Sequence, residues 1–339
     1  MFEELKYPVV QAPMAGGLIS ADFVAQVSNF GFLGSVAGGY LSVDELRQMI
    51  RQVKAKTTNP FLVNIFIFGD LSEIENTTHP KPQSVQELER LFTDQVNPEF
   101  SVPVLPSEDE YVNLVIEEGV KYVSSTFGFF LPKSVDKLKS KNIKVIASCS
   151  SMSEVNHCIA RGADAIIFQR SEAGGHKSGF TNIIFSDSIF GLFKQAKILH
   201  PNVPFIVAGG ILPIEIPNFL AAKFNAVQLG SAFLLTHESN LSKCAREVIL
   251  KPHETVVSKV ITGRNARWLK NKLLERLSLA TDVYKTPLLQ HYATLELRRM
   301  AQLAESPDYI AILISEKAQQ LKSQPLSDLC LEIAKSFDD

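Results

Sequence analysis

The sequence lacks an excess of charge of either sign. Its 34 lysine and arginine residues are nearly balanced by 36 aspartate and glutamate residues, which gives a formal net charge of -2. Binding to the phosphates of nucleic acids relies on a basic excess, and no block of like charges occurs along the chain. We therefore expect no nucleic-acid partner.

Cysteine is scarce, and no two cysteines have C-x-x-C spacing. Cys149, Cys158, Cys244 and Cys330 are scattered through 339 residues, a distribution typical of reduced, mostly buried thiols. No apolar run reaches membrane-spanning length, and acids occupy the N-terminal positions where a signal peptide would be basic. These absences predict a soluble, cytoplasmic protein with no membrane partner.

What the chain does contain is an alternation of short apolar runs with longer amphipathic segments, from its start to about residue 238. Nearly all residues of the short runs are apolar, as burial on both faces of a parallel sheet requires. The predicted strands are Val9–Ala12, Phe32–Val36, Phe61–Ile65, Val120–Ser124, Lys144–Ser148, Ala165–Phe168, Phe205–Ala208 and Ala226–Leu229. Eight such strands predict an α/β fold, a (β/α)8 TIM barrel over residues 1–235, with a doubly wound open sheet as the alternative.

Two stretches depart from this alternation. Residues 66–107 are polar and proline-rich, which predicts a loop excursion with one short helix at Val85–Phe92, acting either as a lid or as a surface insertion without a role. Residues 236–339 predict a smaller, mostly helical C-terminal cap domain over the barrel mouth. Its predicted elements are helices at Leu241–Leu250, Ala266–Leu279, Pro287–Leu303, Tyr309–Leu321 and Leu326–Phe337, and one strand at Thr255–Ile261.

The sixth predicted strand runs into a glycine-rich loop that contains one histidine, His176. Flanking glycines leave its imidazole open, and imidazole can take or give a proton near neutral pH. No metal-ligand spacing accompanies His176, and no Ser–His–Asp or Cys–His set can be placed with it. The other histidines, in loops or helices, are interpreted as structural: His79, His157, His200, His237, His253 and His291.

Small residues and amides accumulate at the other strand ends, where barrel active sites lie. Gly209 and Gly210 follow the seventh strand, and Gly230 and Ser231 follow the eighth, which is the usual phosphate position of such barrels. Amide side chains occur at four strand ends: Gln11, Asn64, Gln169 and Gln228. Each amide could instead cap a helix or face water. Together they suggest a cofactor with a phosphate and a polar ring edge, such as flavin mononucleotide (FMN).

Five segments in order resemble the motif set of the nitronate monooxygenases, formerly called 2-nitropropane dioxygenases. They are residues 8–17 (PVVQAPMAGG), 61–66 (FLVNIF), 171–176 (SEAGGH), 208–211 (AGGI) and 227–234 (VQLGSAFL), with a weaker match at 263–267 (GRNAR). The resemblance implies an FMN-containing barrel that oxidises alkyl nitronates, propionate 3-nitronate in particular, with O2 and without nicotinamide. His176 would be the catalytic base. The implied FMN-binding residues are Gln11, Ala12, Pro13, Met14, Asn64, Gln169, Gly174, Gly175, Gly209, Gly210, Gln228, Gly230 and Ser231.

Three segments depart from the family pattern. Lys177-Ser178 replaces the common Arg-Gly after the histidine, residues 211–217 replace an Asp-Gly-Arg run, and residues 312–319 replace a tryptophan-containing cap segment. The cofactor side thus matches the family, and the substrate side differs. Enoyl-acyl-carrier-protein reductases, which use NAD(P)H and have a similar Glu-x-Gly-Gly-His loop, are the alternative. A flavin-binding module within a larger assembly is the third interpretation.

Overall fold

Eight parallel strands pair in chain order and close into a ring in the computed structural model, which describes residues 2–180 and 189–337. The barrel strands are Val9–Gln11, Gly34–Ala37, Phe61–Phe66, Tyr122–Thr126, Lys144–Cys149, Ala165–Gln169, Phe205–Ala208 and Ala226–Leu229. The first strand pairs with the eighth, with Val9 opposite Val227. Beside the second strand, Leu33 N donates to Val9 O at 2.8 Å, and Gln11 N donates to Leu33 O at 2.9 Å. This closure confirms the (β/α)8 barrel.

Consecutive strand residues face opposite sides of the ring, which explains why the strands are continuous apolar runs. Val10, Leu62 and Ile206 belong to the cluster that fills the barrel interior, whereas Val9 and Val63 pack outward against helices. The outer helices of the barrel are Ala21–Phe30, Val43–Lys54, Glu108–Glu117, Pro132–Ser140, Met152–Ala160, Ile189–Leu199 and Ile216–Ala221, with a short helix Ser231–Leu234 after the eighth strand. None of the helices within the described ranges is long and apolar enough to cross a membrane.

The excursion after the third barrel strand contains a hairpin and a helix. Strands Thr77–Pro80 and Glu99–Val102 are antiparallel, and helix Gln83–Glu89 lies between them, close to the helix predicted at Val85–Phe92. Its apolar residues enter two clusters of the cap: Val85 and Leu88 pack with Ile261, Trp268 and Leu273, and Phe100 and Val102 pack with Leu289 and Ala293. The excursion is therefore built into the core of the cap.

The C-terminal region contains helices Lys243–Ile249, Lys272–Leu279, Pro287–Ala293, Leu295–Leu303 and Leu326–Ala334. It also contains a three-stranded sheet in which Thr255–Ser258, Ala266–Leu269 and the two residues Gly175–His176 are antiparallel neighbours. The predicted helix Ala266–Leu279 was thus wrong over its first four residues, because pairing with two distant strands outweighs local helical periodicity. The predicted helix Pro287–Leu303 is interrupted at Thr294, whose hydroxyl donates to Ile261 O at 2.7 Å.

The segment 309–321, predicted as helical, was also wrong. It is mostly extended because it lies against the cap sheet, where Leu269 N donates to Ile312 O at 2.9 Å, and only Ala318–Gln320 forms a 3-10 turn. The last helix, Leu326–Ala334, packs into the outer cluster of the barrel through residues such as Leu329 and Ile333. We propose a boundary between barrel and cap domains at residue 235. The last helix follows this boundary in the chain but packs on the barrel.

Candidate active site

The loop that carries His176 is fixed between the barrel and the cap. Gln169, at the end of the sixth strand, donates from Nε2 to His176 O at 2.9 Å and accepts at Oε1 from Ser178 N at 2.9 Å. On the other side, His176 pairs with Ala266 in the cap sheet, and Lys177 N donates to Asn265 O at 2.8 Å. The amide of Gln169 therefore shapes the loop.

The glycine at position 174 allows a cap segment to contact this loop. A Cβ on Gly174 would lie 2.4 Å from the backbone of Ile314 and Ser315. Ser315 N also donates to Ser231 Oγ at 3.1 Å, and Glu316 N donates to Glu172 O at 3.1 Å. The segment that departs from the family pattern, residues 312–319, thus joins the loops after the sixth and eighth strands.

The imidazole of His176 is half-buried and held by a hydroxyl. Its Nε2 lies 2.8 Å from Thr262 Oγ1, and the rings of Phe127 and Trp268 stand nearly perpendicular to it, with centroids 5.7 and 5.9 Å away. Burial, and secondarily the positive charges of Arg264 and Arg298, lower the pKa of His176 to about 3. The imidazole is therefore neutral at physiological pH and can accept a proton.

Aromatic residues form one wall of this region, and sequence reasoning missed them. Tyr40 and Phe127 follow the second and fourth barrel strands with φ of 66° and 71°, values that bulky side chains rarely adopt. Phe66 links them, with ring centroids 5.2 Å from Tyr40 and 4.7 Å from Phe127. Backbone strain of this kind tends to concentrate at functional sites.

His291 was predicted to be a structural residue at a helix surface, and the surface placement was wrong. It is only 9% exposed and stacks on Tyr40, with ring centroids 4.3 Å apart. Burial, and then the charge of Arg298 and the neighbouring imidazole of His176, hold the pKa of His291 well below its usual value. Its helix is buried on most sides, since Leu288, Leu289, Gln290 and Ala293 are buried as well. The apolar pair Leu288-Leu289 before the histidine was the signal visible in the sequence.

Two arginines approach the same wall. The Cζ atom of Arg264 lies 4.1 Å from the centroid of the Phe127 ring. Arg298 donates from Nη2 to His291 O at 2.9 Å and from Nε to Thr294 Oγ1 at 3.3 Å. Burial lowers the pKa of both guanidinium groups, that of Arg298 to about 10, so both stay charged at neutral pH. Arg298 was not singled out by the sequence.

The predicted cofactor residues gather at the same barrel rim, but their side chains are used differently. The Gln11 amide is fully buried, accepts from Ser35 N at 2.8 Å and donates to Ala12 O. Asn64 donates from Nδ2 to Ser124 Oγ at 2.8 Å and to Thr126 Oγ1 at 3.0 Å. In contrast, the buried Oε1 of Gln228 has no hydrogen-bond partner in the part of the chain that the structure describes.

The glycines after the seventh strand adopt φ of 103° and 61° and contact the loop after the sixth strand. A Cβ on Gly209 would lie 2.7 Å from Ala173 Cβ, and one on Gly210 would lie 2.8 Å from Glu172 Cβ. A Cβ on Gly230 would have more room, with Ala12 Cβ at 3.4 Å, and one on Gly175 would have no atom of the described residues within 4 Å. The segment after the first strand lies beside these glycines, because Ala12 N donates to Leu229 O at 2.8 Å. Its residues Ala12, Pro13 and Met14 are half-buried.

The family model and the relatives found by sequence agree on one family. The family model described as nitronate monooxygenase matches residues 1–329. A probable nitronate monooxygenase of Staphylococcus saprophyticus is 32% identical over 307 residues, which cover 88% of this chain and 85% of that protein. The solved structure of nitroalkane oxidase from Streptomyces ansochromogenes has a TM-score of 0.82 and 26% identity, covering 99% of this chain and 98% of that one. The structure of FabK from Thermotoga maritima, at 24% identity, TM-score 0.75 and coverage of 99% and 94%, is similar in fold alone.

Proposed function

Because the chain belongs to the nitronate monooxygenase family of oxidoreductases, we propose that it oxidises alkyl nitronates of the propionate 3-nitronate class with O2, using bound FMN and His176 as the catalytic base. The observation that carries this proposal is the setting of His176. It is a neutral imidazole at the carboxyl end of the barrel, oriented by Thr262 and flanked by Arg264 and Arg298.

The residues at the rim fit FMN. A buried carbonyl oxygen without a partner, such as Gln228 Oε1, is costly unless a ligand donates to it, and the edge of a flavin ring carries an N–H donor. Gly209, Gly210, Gly230 and Ser231 would hold the phosphate through backbone N–H groups. When bound, FMN supplies the electron acceptor that takes electrons from the nitronate and passes them to O2.

The side chains of the site would accept the α-proton of the substrate and stabilise the negative charge of the nitronate. With a neutral nitroalkane, the imidazole of His176 accepts the α-proton, and the electron pair of the C–H bond moves into the nitro group. The nearby guanidinium charges favour the anionic nitronate that results. A negative charge beside His176 also raises its pKa and so strengthens it as a base. With a nitronate that is already ionised, His176 has only to orient the anion.

Oxygen uptake tests this proposal. We expect the FMN-loaded protein to consume O2 when propionate 3-nitronate is added without any nicotinamide. Boiled protein and free FMN at the same concentration serve as controls. If a protein that retains its flavin consumes no O2 above these controls, the proposed function is wrong, and the binding-module interpretation gains support.

A further inference from the structure

We propose that Arg264 and Arg298 form a subsite for a carboxylate, which selects substrates that carry a second anionic group beside the nitronate. This inference rests on the proposed function for the identity of the reacting group. The binding site itself is argued from the contacts of the two arginines.

A tight turn in the cap positions Arg264 next to His176. Gly263 has φ of 75°, and a Cβ there would lie 2.4 Å from Pro287 Cα, so this turn is pressed onto helix Pro287–Ala293. On one side of the glycine, Thr262 contacts His176 Nε2. On the other side, Arg264 lies over the Phe127 ring, which itself contacts the His176 ring. Arg264 and His176 therefore contact the same aromatic ring, which places both within reach of one small anion.

Arg298 reaches the same region from a different element. It lies in the first turn and a half of helix Leu295–Leu303, and its hydrogen bonds to His291 O and Thr294 Oγ1 hold the guanidinium in place. His291 stacks on Tyr40, whose ring belongs to the aromatic wall. The Arg298 guanidinium is thus held by neutral oxygen acceptors, and that of Arg264 lies against aromatic rings.

No acidic side chain within residues 2–180 and 189–337 forms an ion pair with either arginine. The Nε of Arg264 is buried and has no hydrogen-bond partner in those ranges. The titratable groups that face the two charges are Tyr40, His176 and His291, and all three are neutral at pH 7. Buried guanidinium charges without a counter-ion favour an anionic ligand, and a planar carboxylate can accept two parallel hydrogen bonds from one guanidinium.

The position of this subsite separates it from the proposed phosphate site. Tyr40 and Phe127 follow the second and fourth barrel strands, whereas Gly209 and Gly230 follow the seventh and eighth. In a closed ring of eight strands these two sets lie on opposite sides of the mouth. The two arginines are therefore available to a substrate while a phosphate occupies the other side.

Binding can be measured without turnover, because the chain has a single tryptophan beside the site. Trp268 is buried and its ring stands 5.9 Å from that of His176. Succinate has the same chain length as propionate 3-nitronate and a planar two-oxygen anion at each end, and succinamide is its neutral isostere. In a fluorescence titration of the FMN-loaded protein, we expect succinate to give a saturable change and succinamide to give none at equal concentration. An equal response to both, or no saturable response to succinate, overturns the subsite.

Variants assign the binding to the arginines. Arg298→Gln and, separately, Arg264→Gln should raise the dissociation constant of succinate at least about tenfold, because each removes a charge-assisted contact. Arg299→Gln is the matched control, since Arg299 is exposed and paired with Glu296, and its succinate affinity should stay unchanged. Wild-type affinity in both arginine variants overturns the assignment. If one variant fails to fold, the other and the wild-type comparison of succinate with succinamide still decide.

A substrate comparison separates this inference from the proposed function. The ratio of kcat/KM for propionate 3-nitronate to that for propyl 1-nitronate, which lacks the carboxylate, should fall at least about tenfold in Arg298→Gln. Oxygen uptake with an unchanged ratio leaves the proposed function standing and removes the subsite. Arginine-dependent succinate binding without oxygen uptake leaves the subsite standing and removes the proposed function.

Discussion

The cap contains two sites of buried positive charge that are built in opposite ways. Lys81, in the excursion, donates from Nζ to both carboxylate oxygens of Glu89 at 2.9 and 2.8 Å, and the two side chains are 3% and 0% exposed. Arg264 and Arg298 have neutral neighbours and rings in place of an acid. We call Lys81 and Glu89 the closed pair, because each charge has its partner in the other. We call Arg264 and Arg298 the open cluster.

The difference indicates what each site is for. A buried cation that is neutralised by a carboxylate attracts an anionic ligand only weakly. Removing one member of such a pair leaves the other charge buried without a partner. A buried cation without a carboxylate partner can attract an anionic ligand. Its charge also lowers the pKa of a neighbouring histidine. We therefore interpret the closed pair as structural and the open cluster as functional.

Removing His176 is the change with the largest expected effect. His176→Ala should keep the FMN content but lower turnover of neutral nitroethane by about 10²- to 10⁴-fold, since it removes proton transfer and not cofactor binding. Steady-state oxygen uptake and the flavin spectrum measure the two properties. His237→Ala, at an exposed position, is the control. Unchanged turnover in His176→Ala would remove its assigned role.

Breaking the closed pair should have the largest effect on stability. Glu89→Ala leaves Lys81 buried without its partner, and we expect the free energy of unfolding to fall by about 3–5 kcal/mol in urea titrations. The exposed Glu87, in the same helix, is the matched control, and Glu87→Ala should cost less than about 0.5 kcal/mol. Equal losses in the two variants would show that the closed pair has no special structural role.

Acid should weaken the fold through His176 and His291, which lie beside the open cluster. In the unfolded chain a histidine binds a proton below about pH 6.5, whereas folded His176, with a pKa of about 3, does not. Stability is therefore complete above pH 6.5 and declines as the pH falls toward 3. Between pH 6.5 and 5 the loss from His176 amounts to about 1–2 kcal/mol, and His291, whose pKa is also held below its usual value, adds a loss of the same sign.

Comparing thermal unfolding at several pH values checks this sign. His291→Phe keeps the stacking on Tyr40 and removes one of the two groups, so its stability should depend less on pH over this range than that of the wild type. An identical pH dependence in the two proteins would contradict the depressed pKa of His291.

A much smaller stability effect than in Glu89→Ala is expected where the charge has no partner. Arg298→Gln should change the free energy of unfolding by less than about 1 kcal/mol, because relief of a buried, uncompensated charge offsets the lost hydrogen bonds to His291 and Thr294. The measurement is the same urea titration as for Glu89→Ala. A loss as large as in that variant would mean that the open cluster is structural after all.

The barrel could be predicted because its signals are local. Strands buried on both faces read as continuous apolar runs, and the glycines of the His176 loop follow one of them directly. Most predicted strand bounds agree with the structure to within two residues. The cap was harder to predict, because Ala266–Leu269 becomes a strand only by pairing with Thr255–Ser258 and with the His176 loop.

The open cluster and the two histidines beside it could be predicted only in part, for a similar reason. His176 carries its own local signal, two glycines before it and one three residues after it. The importance of Arg298 and His291 comes from which groups lie beside them once the chain has folded, and from the absence of an acid there. Gln11 and Gln169 show the converse, since their positions at strand ends were visible in the sequence, whereas the hydrogen bonds that their amides make within the chain were not.

Anaerobic mixing tests the central claim most directly. The yellow, FMN-loaded protein is mixed, without oxygen, with propionate 3-nitronate in one experiment and with NADPH in the other, and the flavin absorbance is followed. We expect the nitronate to bleach the flavin and NADPH to leave it oxidised. Rapid bleaching by NADPH in the absence of nitronate would contradict the monooxygenase account and favour an enoyl reductase.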